Sequence, residues 1–175
     1  SMLLVFRTNT AYERWWEGRR TWGSLTNYSR SLATKLNYLL QEIPSDEKKF
    51  ILNILKDLPF AIKNHLRKVK NFDDFENKSY FIEKIPIITN HHIPNLTTQL
   101  LVNKLFTLNK AGKLSDMDMR IISDEIKSYS EICGACERIK NTPIPFSYSS
   151  FIKKFIFFYI MTMPFGLVFS IGWYC

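Results

Sequence analysis

The sequence predicts an all-α protein, in which long helices form the cytoplasmic part of a membrane protein and partial transmembrane segments lie at both ends. Apolar residues recur at helical spacing in several segments, and no useful length of chain alternates apolar and polar residues as a strand does. The last 21 residues carry no charge. At 175 residues, of which 46% are hydrophobic, the chain is long enough to bury a core.

Two long helices are predicted in the first 70 residues. The first ends at about Glu42, because Pro44 cannot continue a helix. Its apolar stripe is predicted to consist of Trp15, Trp22, Leu25, Leu32, Leu36 and Leu39. Ser45 is expected to cap the second helix, with Asp46 and Glu47 in its first turn. The buried face of this helix is predicted to consist of Phe50, Ile51, Ile54, Leu55, Leu58, Ile62, Leu66 and Val69.

The middle of the chain predicts a loop and two further helices. Residues 70–96 are rich in Asn, Asp and Pro and show no sustained period, which favours a long loop with at most one helical turn. A short helix is expected over about 96–111, closed by Gly112. Ser115 should cap the next helix, which ends in the proline-containing segment 141–145. Its buried stripe is predicted to be Ile122, Ile126, Tyr129, Cys133 and Cys136.

The C-terminal residues 155–175 form a candidate membrane span. As a helix they would extend about 31 Å, which matches the roughly 30 Å hydrocarbon layer of a bilayer. Lys153 and Lys154 lie at the N-terminal edge and indicate that the preceding residues are cytoplasmic. Pro164 and Gly166 predict a kink or a turn, so a bent or re-entrant course is favoured over a straight crossing. The alternative is the buried core helix of a soluble protein.

Charge and cysteine content restrict the partners. The net charge of +8 suits nucleic acid, an anionic membrane surface or anionic solutes, and does not choose among them. The sequence has no dense basic block with interleaved aromatic residues and no zinc-finger spacing, so we expect no nucleic-acid partner. Three cysteines without a secretory signal argue against a disulfide framework and for a reducing compartment.

Few residues are candidates for catalysis or metal binding. Cys133 and Cys136 have metal-ligand spacing, but both fall on the apolar face of a helix, which favours core positions. His91 and His92 are adjacent, and adjacent side chains seldom converge on one ion. His65 lies near a helix end, where a surface hydrogen-bonding role is expected. Since no phosphate loop, catalytic triad or carboxylate pair is recognisable, we expect no enzyme activity, no metal and no cofactor.

The most distinctive sequence is FRTNTAYERWWE at residues 6–17, where an apolar helix end meets the Arg and Trp residues typical of a membrane interface. Together with NHLR at 64–67, CERIKNTPIPFSY at 136–148 and PFGL at 164–167, it makes the chain resemble the bestrophin family, specifically its prokaryotic members. The resemblance covers nearly the whole chain. The motif positions are Arg14, Trp15, Trp16, Glu17, Glu137, Arg138, Asn141, Pro143 and Pro145.

The resemblance implies a pentameric ion channel of the plasma (inner) membrane, with four membrane helices and a large helical cytoplasmic portion in each subunit. Residues 1–6 would then end a pore-lining helix, 7–150 would form the cytoplasmic domain, and 151–175 would be embedded in the membrane. The first membrane helix and most of the second would precede Leu3, and the last would follow Cys175. The partners implied are further copies of the chain in a homopentamer, the lipid bilayer and small permeant ions.

The resemblance also implies two narrow rings in the pore. Phe6 matches the cytoplasmic-side member of the family's apolar neck, and Met2 lies one helical turn earlier, although Ser1-Met2 has the form of a cloning remnant. Ile144 matches a second, cytoplasmic constriction; the alternative for Ile144 is a buried anchor in a turn. An apolar ring does not select ion charge, so anions and monovalent cations both remain open. The acidic calcium clasp of eukaryotic members is absent from this sequence, so calcium gating is not expected.

Two other functional classes remain open at this point. One is a soluble helical interaction module in which the aromatic stripes are core and the C-terminal segment docks on a partner. The other is an enzyme that uses Cys133 and Cys136, or His91 and His92. Extraction of membranes at alkaline pH separates the first from a channel subunit, and substitution of the four residues tests the second.

Overall fold

The computed structural model describes residues 2–69, 71–88, 92–142 and 146–171. All regular secondary structure in these ranges is helical, which confirms the predicted all-α class. The helices are α1 (Met2–Leu39), α2 (Ser45–Arg67), α3 (Lys78–Ile88), α4 (Ile93–Lys110), α5 (Asp116–Asn141) and α6 (Phe146–Ile171). The chain divides into two compact units, one of Ser1–Trp16 with Asn141–Cys175 and the other of Glu17–Lys140.

The core of the Glu17–Lys140 unit is formed by apolar stripes on four helices. Its fully buried side chains include Leu32 and Leu36 of α1, Ile54 and Leu58 of α2, Leu101 and Leu105 of α4, and Ile122 and Tyr129 of α5. The buried part of the α1 stripe begins at Leu25, whereas Trp15 and Trp22, which were placed on the same predicted stripe, are 60% and 36% exposed. The predicted α5 stripe is confirmed at Ile122, Tyr129, Cys133 and Cys136.

The helix caps of α2 and α5 agree with the sequence prediction to different extents. Ser45 is the first residue of α2 and makes no capping bond, because Pro44 occupies the N-cap position, so the predicted Ser45 cap was wrong. Val69, predicted on the buried face, is exposed and follows the left-handed C-cap residue Lys68. At α5 the predicted cap is confirmed, since the Ser115 hydroxyl accepts from the Asp118 N–H at 3.1 Å and the Asp118 carboxylate accepts from the Ser115 N–H at 2.9 Å.

Helix α3 was predicted as part of a loop, and a side chain from α2 accounts for the difference. Asp57 is completely buried, and its carboxylate accepts the backbone N–H groups of Glu76 at 2.7 Å and Asn77 at 3.2 Å. These N–H groups precede α3 and would otherwise lack a helical partner. Three phenylalanine rings, those of Phe72, Phe75 and Phe81, pack together beside this start. Tertiary contacts therefore supply the start signal that is missing from the local sequence.

Helix α6 runs without interruption through Pro164 and Gly166. Of the kink or turn that Pro164 and Gly166 predict, the turn is therefore wrong for the described residues. A proline inside a helix leaves a carbonyl without its N–H partner, and this helix still continues for seven residues beyond Pro164. Most of the large apolar side chains on α6 are exposed: Phe151, Phe155, Phe157, Phe158, Tyr159, Ile160, Met161, Met163, Phe165, Leu167 and Val168.

Candidate functional site

The first motif, on α1, contacts the chain at the end of α5. Within the unit of Ser1–Trp16 and Asn141–Cys175, the Arg14 guanidinium donates a hydrogen bond to the carbonyl oxygen of Thr142. Asn141 is the last residue of α5. Arg14 thus holds the backbone that follows α5, two residues before the predicted constriction at Ile144.

A second contact joins the same two motifs within the Glu17–Lys140 unit. Arg138 Nη2 lies 2.7 Å from Glu17 Oε1, so α5 and α1 are linked by a charge-assisted hydrogen bond. Both side chains are about half exposed or more, and such pairs contribute at most about 1 kcal/mol to stability. The contact therefore serves to align the helices more than to stabilise them.

The aromatic residues of the first motif form an exposed cluster. Tyr12, Trp15 and Trp16 are each more than half exposed, and the Trp15 ring centroid lies 5.8 Å from that of Tyr12 and 6.2 Å from that of Trp16. Exposed clusters of large aromatic residues are typical of surfaces that contact lipid or another protein.

The predicted pore-ring residues lie at the margins of the described structure. Met2 and Phe6 belong to the first turns of α1, one helical turn apart, and their side chains lie outside the described residues. Ile144, Pro143 and Pro145 lie entirely outside the described ranges. Their assignment to a neck and a constriction stays a prediction.

A cluster of His65, His92 and Glu137 was not predicted from the sequence. Nε2 of His65 lies 2.6 Å and Nε2 of His92 lies 2.7 Å from the same oxygen, Glu137 Oε1. The three side chains come from the end of α2, the N-cap of α4 and the last turns of α5, and each is about one-third exposed. Hydrogen bonds from His92 and His65 lower the pKa of Glu137, so its carboxylate is charged at neutral pH.

The local sequence gives little signal for this cluster. Glu137 lies 72 residues from His65 and 45 residues from His92, so no short motif joins them. The sequence analysis considered His92 only together with its neighbour His91, which lies outside the described residues. The placement of His65 and Glu137 in two separate family motifs is the signal that points to these residues.

The cysteines have the environment expected for core positions. Cys133 and Cys136 are free and buried, as the interpretation of the apolar stripe predicts. Burial raises the pKa of the Cys133 thiol to about 12, and it also raises that of Cys136. Thiols in this state are poor nucleophiles and poor metal ligands. The pair therefore offers no support for redox or catalytic chemistry.

Helix α6 contains the stretch that could cross a membrane. Among the described residues, Ser150–Val168 is long and apolar enough to do so, and 6% of this stretch is buried. The core helix of a soluble protein would be mostly buried, so this low burial sets α6 apart from α2 and α5.

Comparison with known proteins agrees with the motifs. The family model described as Bacterial/Fungal Bestrophin protein matches residues 1–175. Voltage-dependent anion channel-forming proteins of Nostoc sp. and Ralstonia nicotianae are 33% and 31% identical to 99% and 98% of the chain, which spans 57% and 56% of their lengths. A variant of a bacterial bestrophin homologue from Klebsiella pneumoniae superposes with a TM-score of 0.83 at 26% identity, over 98% of this chain and 62% of that one. The chain therefore belongs to the bacterial and fungal bestrophin family.

Proposed function

We propose that the chain is part of a subunit of a homopentameric bestrophin-type channel that conducts small ions passively across the plasma membrane. The observation that carries this proposal is the match of the family model over residues 1–175, together with relatives of similar sequence that are named as anion channel-forming proteins. On this proposal, residues 1–6 end the pore-lining helix, 7–150 are cytoplasmic and 151–175 are embedded in the membrane. The chain needs no catalytic residue for this function.

The exposed surface of α6 supports a membrane location. Only 6% of the 19-residue stretch Ser150–Val168 is buried, so most of its large apolar side chains are exposed. Water would solvate this surface poorly, and contiguous apolar patches of this kind mark contacts with lipid or with another subunit. Lys153 and Lys154, near its N-terminal end, are exposed and suit a cytoplasmic edge.

The membrane location predicts the behaviour of the intact protein on extraction. After treatment of membranes at alkaline pH, we expect the protein to remain with the lipid fraction and to require detergent for release, because most large apolar side chains of α6 are exposed. The distribution between fractions is measured by immunoblotting, with a peripheral membrane protein as the control. Recovery in the aqueous fraction as a monomer would support an interaction module instead.

The two proposed pore rings predict the effect of shortening their side chains. A hydrophobic constriction passes ions only when it wets, so a wider and less apolar ring conducts better. We therefore expect Phe6→Ala and Ile144→Ala to raise single-channel conductance several-fold in planar bilayers. Met2→Ala should act in the same direction if this residue is the next ring of the neck.

Val5→Ala is the matched control for these variants. Val5 lies next to Phe6 on α1, and neighbouring positions of a helix point about 100° apart, so its loss should leave a ring at Phe6 intact. Conductance equal to that of the unmodified protein in both Phe6→Ala and Ile144→Ala would remove the ring assignment. If the unmodified protein gave no conductance above that of an empty bilayer, the proposal of a channel would be wrong.

The permeant ion is tested in the same recordings. The relatives are named as anion channel-forming proteins, and a reversal potential that follows the chloride gradient under asymmetric salt would support an anion channel here too. A reversal potential that follows the sodium or potassium gradient would reassign the pore to cations. The apolar rings are compatible with either charge.

A further inference from the structure

Three potential metal-ligating atoms converge from three different helices. The Nε2 atoms of His65 and His92 and a carboxylate oxygen of Glu137 all lie within 4.8 Å of one another. The two imidazole rings lie side by side, with their centroids 4.0 Å apart. Two histidines and one carboxylate form a ligand set that holds zinc in many proteins and leaves a fourth position for water or a further ligand.

We propose that His65, His92 and Glu137 form a binding site for a zinc-type divalent transition-metal ion. Tetrahedral zinc with bonds of about 2.0–2.1 Å places its ligand atoms about 3.4 Å apart. The two Nε2–Oε1 distances of 2.6 and 2.7 Å therefore need to open by less than one ångström. All three side chains are about one-third exposed, so rotation about their side-chain bonds can supply this movement.

An open groove gives the ion a path to the site. Residues of α4 and α5 enclose a groove of about 550 Å³ that includes His92 and Glu137 in its lining. The same groove is also lined by the polar residues Asn95 and Gln99. Nitrogen ligands favour zinc over calcium and magnesium, which prefer oxygen ligands, so the site should discriminate between these ions.

The N-cap of α4 provides a specific signature of binding. The Asn95 N–H donates to Nδ1 of His92 at 3.3 Å, so in a neutral ring the proton resides on Nε2 and is donated to Glu137. A metal ion bound at Nε2 requires the proton to move to Nδ1, where it blocks this cap bond. Zinc binding should therefore accelerate hydrogen exchange at the Asn95 amide while it slows unfolding of the unit as a whole.

The test uses the intact protein in detergent, stripped of metal by a chelator and titrated with zinc by calorimetry. We expect one zinc ion per chain, and each of His65→Gln, His92→Asn and Glu137→Gln should weaken binding by more than the roughly 10–100-fold that loss of an outer-shell partner costs. His92→Asn retains a good N-cap residue, so α4 should keep its start. Circular dichroism checks that each variant is folded.

Glu131→Gln is the matched control, because Glu131 lies on the same helix, is exposed and pairs only weakly with Lys127. It should bind zinc as the unmodified protein does, and calcium should give no saturable heat. The proposal is overturned if no stoichiometric zinc binding occurs, if the His65→Gln/Glu137→Gln double variant binds zinc undiminished, or if exchange at Asn95 is unchanged by zinc.

Discussion

Replacement of Ile122 by alanine should lower the free energy of unfolding by about 2–5 kcal/mol, the range for removal of a large aliphatic side chain from a core. Ile122 is completely buried on α5 among apolar residues of α1, α2 and α4. The loss combines the transfer energy of the removed methyl and methylene groups with the cavity that remains. Urea denaturation of the detergent-solubilised protein, followed by circular dichroism, measures the change.

Ile121→Ala provides the comparison within the same turn of α5. Ile121 is chemically identical to its neighbour but 44% exposed, so its truncation should change stability by less than about 0.5 kcal/mol. Equal effects of the two substitutions would contradict the orientation of α5 described above.

Replacement of Lys35 by methionine should cost about 1–3 kcal/mol, because it leaves a buried carboxylate without its counter-ion. The ammonium group of Lys35 contacts Glu125 Oε1, which also accepts from the Ser31 hydroxyl at 2.9 Å. Glu125 Oε2 is buried with no hydrogen-bond partner among the described residues. The side chain of Lys35 is 35% exposed, so water can partly replace it, which keeps the cost below that of a fully buried pair.

The pH dependence of stability distinguishes this mechanism from lost packing. Burial alone would raise the pKa of Glu125, but hydrogen bonds from Lys35 and Ser31 lower it below its ordinary value of 4.5. The pair therefore stabilises the fold above that pH, and the contribution is lost as pH falls through the lowered pKa. In Lys35→Met burial dominates and raises the pKa, so the contribution of Glu125 should instead decline as pH rises past 4.5.

The double variant Lys35→Met/Glu125→Met is the control, since it removes both charges and keeps side chains of similar length. It should recover most of the lost stability and show no contribution from this pair to the pH dependence. Lys35→Met with an unchanged pH profile would mean that the lysine acts through packing of its stem alone.

Much of the fold could be predicted because its signals are local. The apolar stripe of α5, the Ser115 cap and the glycine after α4 each act within a few residues of the structure that they determine. Helix α3 could not be predicted in this way, since its start depends on Asp57, 19 and 20 residues earlier in the chain. The exposure of Trp15 was missed because helical spacing identifies a face but not the extent to which neighbours cover it.

The same distinction between local and distant signals applies to the candidate sites. The sequence motifs identified the family and the residues that join α1 to α5, although not that Glu17 pairs with Arg138 or that Arg14 binds the Thr142 carbonyl. The His–Glu cluster depends on how α2, α4 and α5 pack, and the sequence analysis, which expected no metal, could not anticipate it. The proposed zinc site revises that expectation.

The neighbouring residues Glu137 and Arg138 make contacts with different parts of the Glu17–Lys140 unit. Glu137 meets the histidines at the end of α2 and the start of α4, while Arg138 meets Glu17 on α1. Side chains at successive helical positions diverge by about 100°, so the two contacts together fix the rotation of α5 about its own axis. An apolar stripe tolerates a small roll of a helix, whereas two directional contacts on divergent sides do not. Near its C-terminal end, α5 is therefore held by partly exposed polar groups that supply a directional constraint in addition to its buried apolar stripe.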